Sequence, residues 1–286
     1  MREFYTQEIT RRHRAAIIIA IDQSGSMSED IPFGTQHMSK AEAVTIVTSR
    51  FIDEMIMRAT REGEVRNYYD VAIIGYSNNS VYSLCGDKPA FIPITELVTQ
   101  YAGNATLAIE RRMPDGKIKI CSEQRRRWIE PHAAGTTPTY EMLCVATTLV
   151  KEWCAEPQNY DSLPPIVLNI TDGEATDASD ELLYRAATRL KAIATNNGNT
   201  MLINIHLSSS ATQPSLIFPR NEELIDPCAR QLAKTASEVP QPMVETVREL
   251  RGDNSMPPYL MMSYNASLTE ALSIINIGSR SLNNIK

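Results

Sequence analysis

Cysteine is scarce in this chain and never paired at short range. The five, Cys85, Cys121, Cys144, Cys154 and Cys228, are odd in number and include no C-x-x-C pair. That usage excludes a disulfide framework or a cysteine-held zinc site and fits reduced, buried thiols. Histidine is scarcer still: none of His13, His37, His132 and His206 has a partner three or four positions away, so the paired-histidine zinc motif is missing. Long apolar runs are missing too. The longest, Ala15 to Ile21, falls far short of the ~20 residues of a membrane helix. The opening residues, MREFYTQEITRRHR, lack the apolar stretch and small-residue cleavage site of a secretory leader. Together these absences make a cytoplasmic protein with no membrane partner the expectation. A net charge of −6 argues against a general nucleic-acid binder. No P-loop, no G-x-S-x-G and no paired His/Ser/Asp spacing occurs, which removes the common phosphate-loop and acyl-transfer chemistries.

Apolar residues are plentiful. They make up 43% of the 286 positions, and folding at that length hides ~75% of the unfolded surface. Ala15 to Ile21 is a β-branched run of the kind buried on both faces of a parallel sheet. Helical spacing follows from Ser39 to about Thr60, with Ser39 and Glu42 placed as a capping box. Asp70 to Tyr76 predicts a second strand, and Val81 to Leu84 a hairpin partner across Ser77 to Ser80. Further on, the pattern predicts helices over Thr139–Ala155, Ser179–Asn196 and Glu222–Ala236, and strands over Pro165–Ile170 and Thr200–His206. A loop is expected over Leu207–Asn221, an edge strand over Pro258–Ser263 and a final helix from Asn265 to about Arg280. Alternating strands and helices mean an α/β fold with a doubly wound, mostly parallel, Rossmann-like sheet carrying one antiparallel edge hairpin strand. No internal repeat or linker divides it. The reading is one domain over 1–286, with 85–134 inserted before the threonine loop and containing a small hairpin turning at Asp115-Gly116.

Open α/β sheets place their functional loops beyond the carboxyl ends of the strands, where strand order reverses. Three polar loops fall there. Asp22, Ser24 and Ser26 follow the first strand, Thr136 and Thr137 follow Gly135 at a helix start, and Asp172 follows the Pro165–Ile170 strand. Hydroxyl and carboxylate oxygens are hard ligands, suited to Mg²⁺, Mn²⁺ or Ca²⁺ rather than to zinc or copper. Taken singly, Asp22-x-Ser24-x-Ser26 is also the pattern of an Asx turn and helix cap, and Asp172-Gly173 that of a simple turn.

Taken together, Asp22-x-Ser24-x-Ser26, Gly135-Thr-Thr137-Pro-Thr and Ile170-Thr-Asp172-Gly-Glu resemble the metal-ion-dependent adhesion site of von Willebrand factor A domains. The resemblance covers roughly residues 13–280. It implies that Ser24, Ser26 and Thr137 offer hydroxyls to one divalent metal, that Asp22 and Asp172 bind it directly or through water, and that Mg²⁺ is the first choice, with Mn²⁺ or Ca²⁺ as alternatives. Thr136 is the rival to Thr137. In such domains the remaining coordination position takes an Asp or Glu carboxylate from a protein partner, and the C-terminal helix can move as the site opens or closes. The expected function is therefore a non-enzymatic, metal-dependent adaptor. The short leaderless form is similar to the bacterial tellurite-resistance-type branch, which implies a stress, defence or signalling assembly and a kinase or phosphatase partner. An accessory subunit of an AAA+ ATPase would use the same site. The enzyme alternative is a metal-dependent phosphohydrolase, but that class needs an acid two positions after its aspartate, where this chain has Ser24.

The inserted segment carries Arg111, Arg112, Lys117, Lys119, Arg125, Arg126 and Arg127 with few acids between them. A solvated hairpin face is the plain expectation. The functional one is an electrostatic guide for an acidic partner.

Overall fold

The computed structural model describes residues 4–5, 7–33, 36–112, 118–207, 215–224, 227–253, 255–265 and 270. At its centre is an eight-stranded sheet built from β1 (Ala15–Asp22), β2 (Tyr69–Ser77), β3 (Ser80–Ser83), β4 (Ile92–Pro93), β5 (Ile166–Thr171), β6 (Met201–His206), β7 (Leu216–Ile217) and β8 (Met262–Tyr264). The order is β7-β8-β6-β5-β1-β2-β3, with β4 pairing β2 beside this path. The contacts of β1 with β2 and β5, of β5 with β6 and of β6 with β8 are parallel. Both edges are antiparallel, β3 on β2 and β7 on β8, rather than the single edge hairpin expected. The chain leaves β1 to build one side of the sheet and returns to build the other, so strand order reverses at β1.

Alternation along β1 divides the core. Ile17, Ile19 and Ile21 pack with Val44, Val47, Phe51 and Met55 of α1 (Lys40–Ala59). Ile18 and Ala20 face the opposite layer, where α3 (Thr139–Ala155) supplies Met142, Ala146 and Val150, and α4 (Asp180–Lys191) supplies Leu183, Ala187 and Leu190. Each isoleucine so buried contributes about 1.5–3 kcal/mol, enough to commit the strand to a two-faced interior position. Among the described residues, further helices are α2 (Ile94–Leu97), α5 (Pro227–Thr235) and α6 (Val244–Arg251). Among the described residues no helix is long and apolar enough to cross a membrane.

Local chemistry fixes the ends of these elements. Ser39 and Glu42 form the expected capping box at the start of α1. Asn78 and Asn79 take φ of 50° and 56°, the double left-handed geometry that a two-residue hairpin turn demands. Helix α3 begins after Pro138 without a cap of its own; the Asp177 carboxylate accepts from the amides of Tyr140 and Glu141, at 3.0 Å each.

Several elements differ from the sequence pattern. Helix α4 stops at Lys191, not Asn196, because Ala194–Thr195 and Gly198–Asn199 turn back on each other around Asn196-Asn197. Within the stretch expected to be a loop, Leu216–Ile217 forms β7 and covers β8, so the expected edge strand is interior. Helix α5 starts at Pro227, a residue preorganised for the first helical position, after a 3-10 turn at Asn221–Glu223. Between β1 and α1, Asp30–Phe33 and Gln36–Ser39 pair as a hairpin that no periodicity announced. The inserted segment rejoins the central sheet through β4 and buries Ile94, Leu97, Trp128 and Ile129. Its hairpin is longer than expected, pairing Gly103–Arg112 with Ile118–Arg127. The turn at Asp115-Gly116 lies outside the described residues, as does the final helix apart from Asn265 and Glu270.

A polar ladder runs through the layer beneath α3 and α4. Tyr76 donates its hydroxyl to Asn169 Oδ1 at 2.7 Å, Asn169 Nδ2 donates to Asn204 Oδ1 at 3.0 Å, and Asn204 Nδ2 donates to Thr235 Oγ1 and the Leu232 carbonyl, both at 2.8 Å. All of these side chains are buried, so losing one member strands its neighbours away from water. Asn169→Ala is expected to lower stability by roughly 2–3 kcal/mol. Urea unfolding with an unchanged slope and a lower midpoint is the check, and an unmoved midpoint would contradict this account.

Candidate metal centre

Strand β1 delivers Asp22 to the carboxyl edge of the sheet with no exposed surface. Its Oδ1 accepts from the Ser24 amide at 2.8 Å and its Oδ2 from Thr171 Oγ1 at 2.6 Å. Burial raises its pKa from 3.8 to about 6, the bonds from Thr171 and Ser24 oppose that rise, and the charge of Asp172 adds to it. At neutral pH the ionised form therefore carries a cost of roughly 3 kcal/mol.

After Asp22 the chain makes a 3-10 turn over Gly25–Ser28. This turn sets Ser24 Oγ 3.1 Å from Ser26 Oγ, and Ser26 donates to Asp172 Oδ1 at 2.7 Å. Asp172, just past the end of β5, has a side chain with no exposure, and its Oδ2 accepts from Lys40 Nζ at 2.8 Å. Lys40 is the first residue of α1, 4% exposed at its side chain, and also reaches Glu29 at 2.7 Å. Burial works to lower the Lys40 pKa, but hydrogen bonds and charge from Asp172 and Glu29 prevail and hold it above the ordinary lysine value.

The threonine loop is fastened to the same place by its backbone. The Gly25 amide donates to the Gly135 carbonyl at 2.9 Å, and the Ala134 amide donates to the Gln23 carbonyl at 2.8 Å. Thr137 is buried, whereas Thr136 is exposed. The Thr137 amide donates to Thr176 Oγ1 and its carbonyl accepts from the Thr176 amide, both at 3.0 Å, which joins this loop to the one after β5. A Cβ placed on Gly173 would lie 3.9 Å from Thr137 Oγ1 and 4.0 Å from Ser26 Oγ, so both hydroxyls border the same bare stretch of backbone. Gly135 has φ +79°, and a Cβ there would collide with the Asn78 amide group in the β2–β3 turn. Only glycine serves at that position.

The three loops thus bring Asp22, Ser24, Ser26, Thr137 and Asp172 together at the reversal point of the sheet. Among the described residues no group of three or more His, Cys, Asp or Glu is placed to hold a metal. Any cation here must therefore take hydroxyl oxygens, and the donor chemistry fits one. Ser24 and Ser26 keep lone pairs beyond their mutual contact, and each hydroxyl is neutral. Charge fits as well. Asp22, Asp172 and Glu29 against Lys40 sum to −2 when ionised (three negative, one positive), which one divalent ion cancels. Lys40, Glu29 and Thr171 are the members that sequence reasoning missed. One signal was available: a lysine as first residue of a helix sits at the positive end of the dipole, a poor place for a cation that has no acid to meet.

No protein-family model and no curated protein sequence matches the chain. Solved structures similar to it include a von Willebrand factor type A protein from Catenulispora acidiphila, at 15% identity and TM-score 0.41 over 68% of this chain and 34% of that one. Another is the vWF domain of the type V pili tip protein Mfa5 from Porphyromonas gingivalis, at 9% identity and TM-score 0.47 over 95% of both chains. A third is proximal thread matrix protein 1 from the mussel byssus with a zinc-occupied MIDAS motif, at 12% identity and TM-score 0.39 over 70% of this chain and 37% of that one. The chain spans well under half the length of the first and third of these.

Lys40→Met removes the counter-charge of a fully buried carboxylate. In chelator the variant is expected to lose about 3–5 kcal/mol of stability. Added Mg²⁺ should restore a large part of that loss, because a divalent ion meets the same carboxylate. Thermal and urea unfolding with and without Mg²⁺ test this, and a variant as stable as wild type in chelator would refute the electrostatic account.

Proposed function

We propose that this chain is a binding module that takes a carboxylate of a protein partner through one divalent cation, Mg²⁺ first and Mn²⁺ or Ca²⁺ as alternatives. The observation that carries the reading is the convergence of three loops, supplying oxygen donors only, at the carboxyl ends of β1 and β5. Ser24, Ser26 and Thr137 would hold the cation by their hydroxyls, and Asp22 and Asp172 directly or through water. Bound there, the cation supplies a concentrated positive charge, and neutral hydroxyl ligands leave it attractive to an anionic oxygen from outside. An aspartate or glutamate side chain is the simplest such donor.

The reading assigns binding and no turnover. Ser24, whose hydroxyl contacts that of Ser26, stands where a phosphohydrolase of this kind needs a carboxylic acid to exchange a proton with the leaving group. Metal-dependent hydrolysis of a phosphate ester that disappears in Asp22→Asn would replace the adaptor by a phosphohydrolase. A cytoplasmic setting is proposed from the cysteine usage and the short apolar runs, and a signalling or stress role from the sequence resemblance.

Mg²⁺ affinity is expected in the micromolar to millimolar range, about 4–8 kcal/mol, and Asp22→Asn should abolish it with the fold intact. In chelator, Asp22→Asn should also be more stable than wild type at neutral pH, since it removes a carboxylate whose pKa stands at about 6 when folded. The sign follows from proton uptake: between 3.8 and about 6 the folded form binds more protons, so wild-type stability rises as pH falls through that window. The variant lacks this slope. Calorimetric titration and urea unfolding at two pH values check both, and undiminished Mg²⁺ binding by the variant would sink the assignment.

For an identified partner, replacing the critical acid by its amide should weaken binding by about 2–5 kcal/mol. Chelator should cost a similar amount, and the two losses should not add, because both remove the same bond. If chelation and each single acidic substitution leave affinity within about threefold, or ~0.7 kcal/mol, the cation has no part in partner capture.

A further inference from the structure

A second concentration of charge lies apart from the carboxylate cluster and shares no residue with it. Helix α1 and the hairpin of Gly103–Arg112 and Ile118–Arg127 enclose a cavity of about 330 Å³. Arg50 of α1 and Arg125, Arg126 and Arg127 of the hairpin line it, with Glu42 and Asp53 as its only acids among the described residues. Both acids are engaged. Glu42 accepts from Ser39 at 3.0 Å in the capping box, and Asp53 accepts from Trp128 Nε1 at 3.2 Å and pairs with Arg126 at 3.5 Å.

Three of the guanidiniums hold a carboxylate each, Arg125 that of Glu123, Arg126 that of Asp53 and Arg127 that of Glu130 at 2.6 Å, and Arg50 does not. Arg50 makes no hydrogen bond or ion pair among the described residues. Glu123 attracts it at longer range but is held by Arg125 at 3.1 Å. The Nε–H groups of Arg125 and Arg127 are buried without an acceptor. Burial, and then repulsion from Arg125, hold the Arg50 pKa below the ordinary arginine value. Desolvated donors without acceptors are costly, and charged ones more so. Two repelling guanidiniums beside a cavity add to that cost, and an anion seated between them removes it.

The acceptor count and size of the missing group follow. Counted with their partners, the four arginines meet four acids, Glu42, Asp53, Glu123 and Glu130, so what remains unmet is donors: the Arg50 guanidinium and the Nε–H groups of Arg125 and Arg127. A carboxylate offers only two acceptor oxygens to these three donor groups. A phosphomonoester carries about −1.5 to −2 at neutral pH with three acceptor oxygens, and its geometry suits paired guanidiniums. The volume is roughly ten times the ~30 Å³ share of one water molecule, which exceeds a bare ion. Met38, Ile46 and Pro131 give an apolar wall for whatever carries the phosphate.

We propose that this cavity is a phosphomonoester site, with Arg50 and Arg125 as its principal anion ligands, accepting a phosphorylated side chain or a small free phosphomonoester. It does not depend on the metal reading. The test uses the full chain in chelator, with calorimetric titration of O-phosphoserine, serine, glutamate, inorganic phosphate and a phosphoserine peptide. O-phosphoserine should bind at least about tenfold (~1.4 kcal/mol) tighter than glutamate, and serine should not bind. Arg50→Gln and Arg125→Gln should each weaken it by about tenfold or more, while Asp22→Asn binds as wild type does. A peptide much tighter than O-phosphoserine identifies a protein source; equal affinities identify a free metabolite. Without ligand, Arg50→Gln should match or exceed the wild-type melting temperature, because it relieves repulsion. The proposal is overturned if glutamate binds as well as O-phosphoserine, if neither substitution weakens binding, or if wild type ignores phosphate at millimolar concentration. A melting temperature lowered by Arg50→Gln, with phosphate binding kept by Arg125→Gln, would likewise make the arginines structural.

Discussion

Two carboxylates removed from water and set side by side must be neutralised, and much of this molecule's polar architecture answers that demand. Parallel pairing of β1 with β5 brings Asp22 and Asp172 to the same edge with no exposed surface on either side chain. In so dry a place each ionised group repels the other and lacks the hydration that an exposed acid keeps. Hydroxyls, one backbone amide and an ammonium group surround them in place of solvent. The loop conformations follow: the 3-10 turn after β1 positions its serines, and the threonine loop is tied down through backbone bonds that need Gly135.

The electrostatic answer is partial by construction. Lys40 pairs with one oxygen of Asp172 and is itself shared with Glu29, so its single charge is divided between two acids. Asp22 receives hydrogen bonds but no direct cation among the described residues. The cluster is left negative and lined by neutral hydroxyls with free lone pairs, a donor set of the hard-oxygen kind.

Most of the sheet and the cluster was legible in the primary sequence, for reasons that can be named. Buried strands such as Ala15–Asp22 announce themselves through unbroken β-branched runs, and α1 and α3 through apolar spacing. Asp22, Ser24, Ser26, Thr137 and Asp172 lie within short motifs whose order matches the strand ends they follow. Lys40 was hidden because a lysine beside a capping serine reads as exposed, and only the tertiary approach of β5 gives it Asp172. Strand β7 was hidden because two paired residues show no periodicity. The basic run at Arg125–Arg127 was visible, but its role as the wall of a cavity depends on where α1 sits across from it.

The amide ladder of Tyr76, Asn169 and Asn204 has a consequence for how the sheet assembles. Successive side chains of a strand point to opposite faces, so pairing that slips by one residue turns every one of them over. A slipped β5 would carry Asn169 out of the layer of Tyr76 and Asn204 and into the apolar packing against α1. It would also turn Ile166, Leu168 and Ile170 away from the α1 layer and put Val167, Asn169 and Thr171 in their place. The ladder thus acts as a proofreading mark: where its few amides meet adds a polar test of alignment to the one made by apolar packing. Asp172, only three positions beyond Asn169, reaches the mouth of the sheet correctly placed because an amide below it has already rejected the wrong alignment.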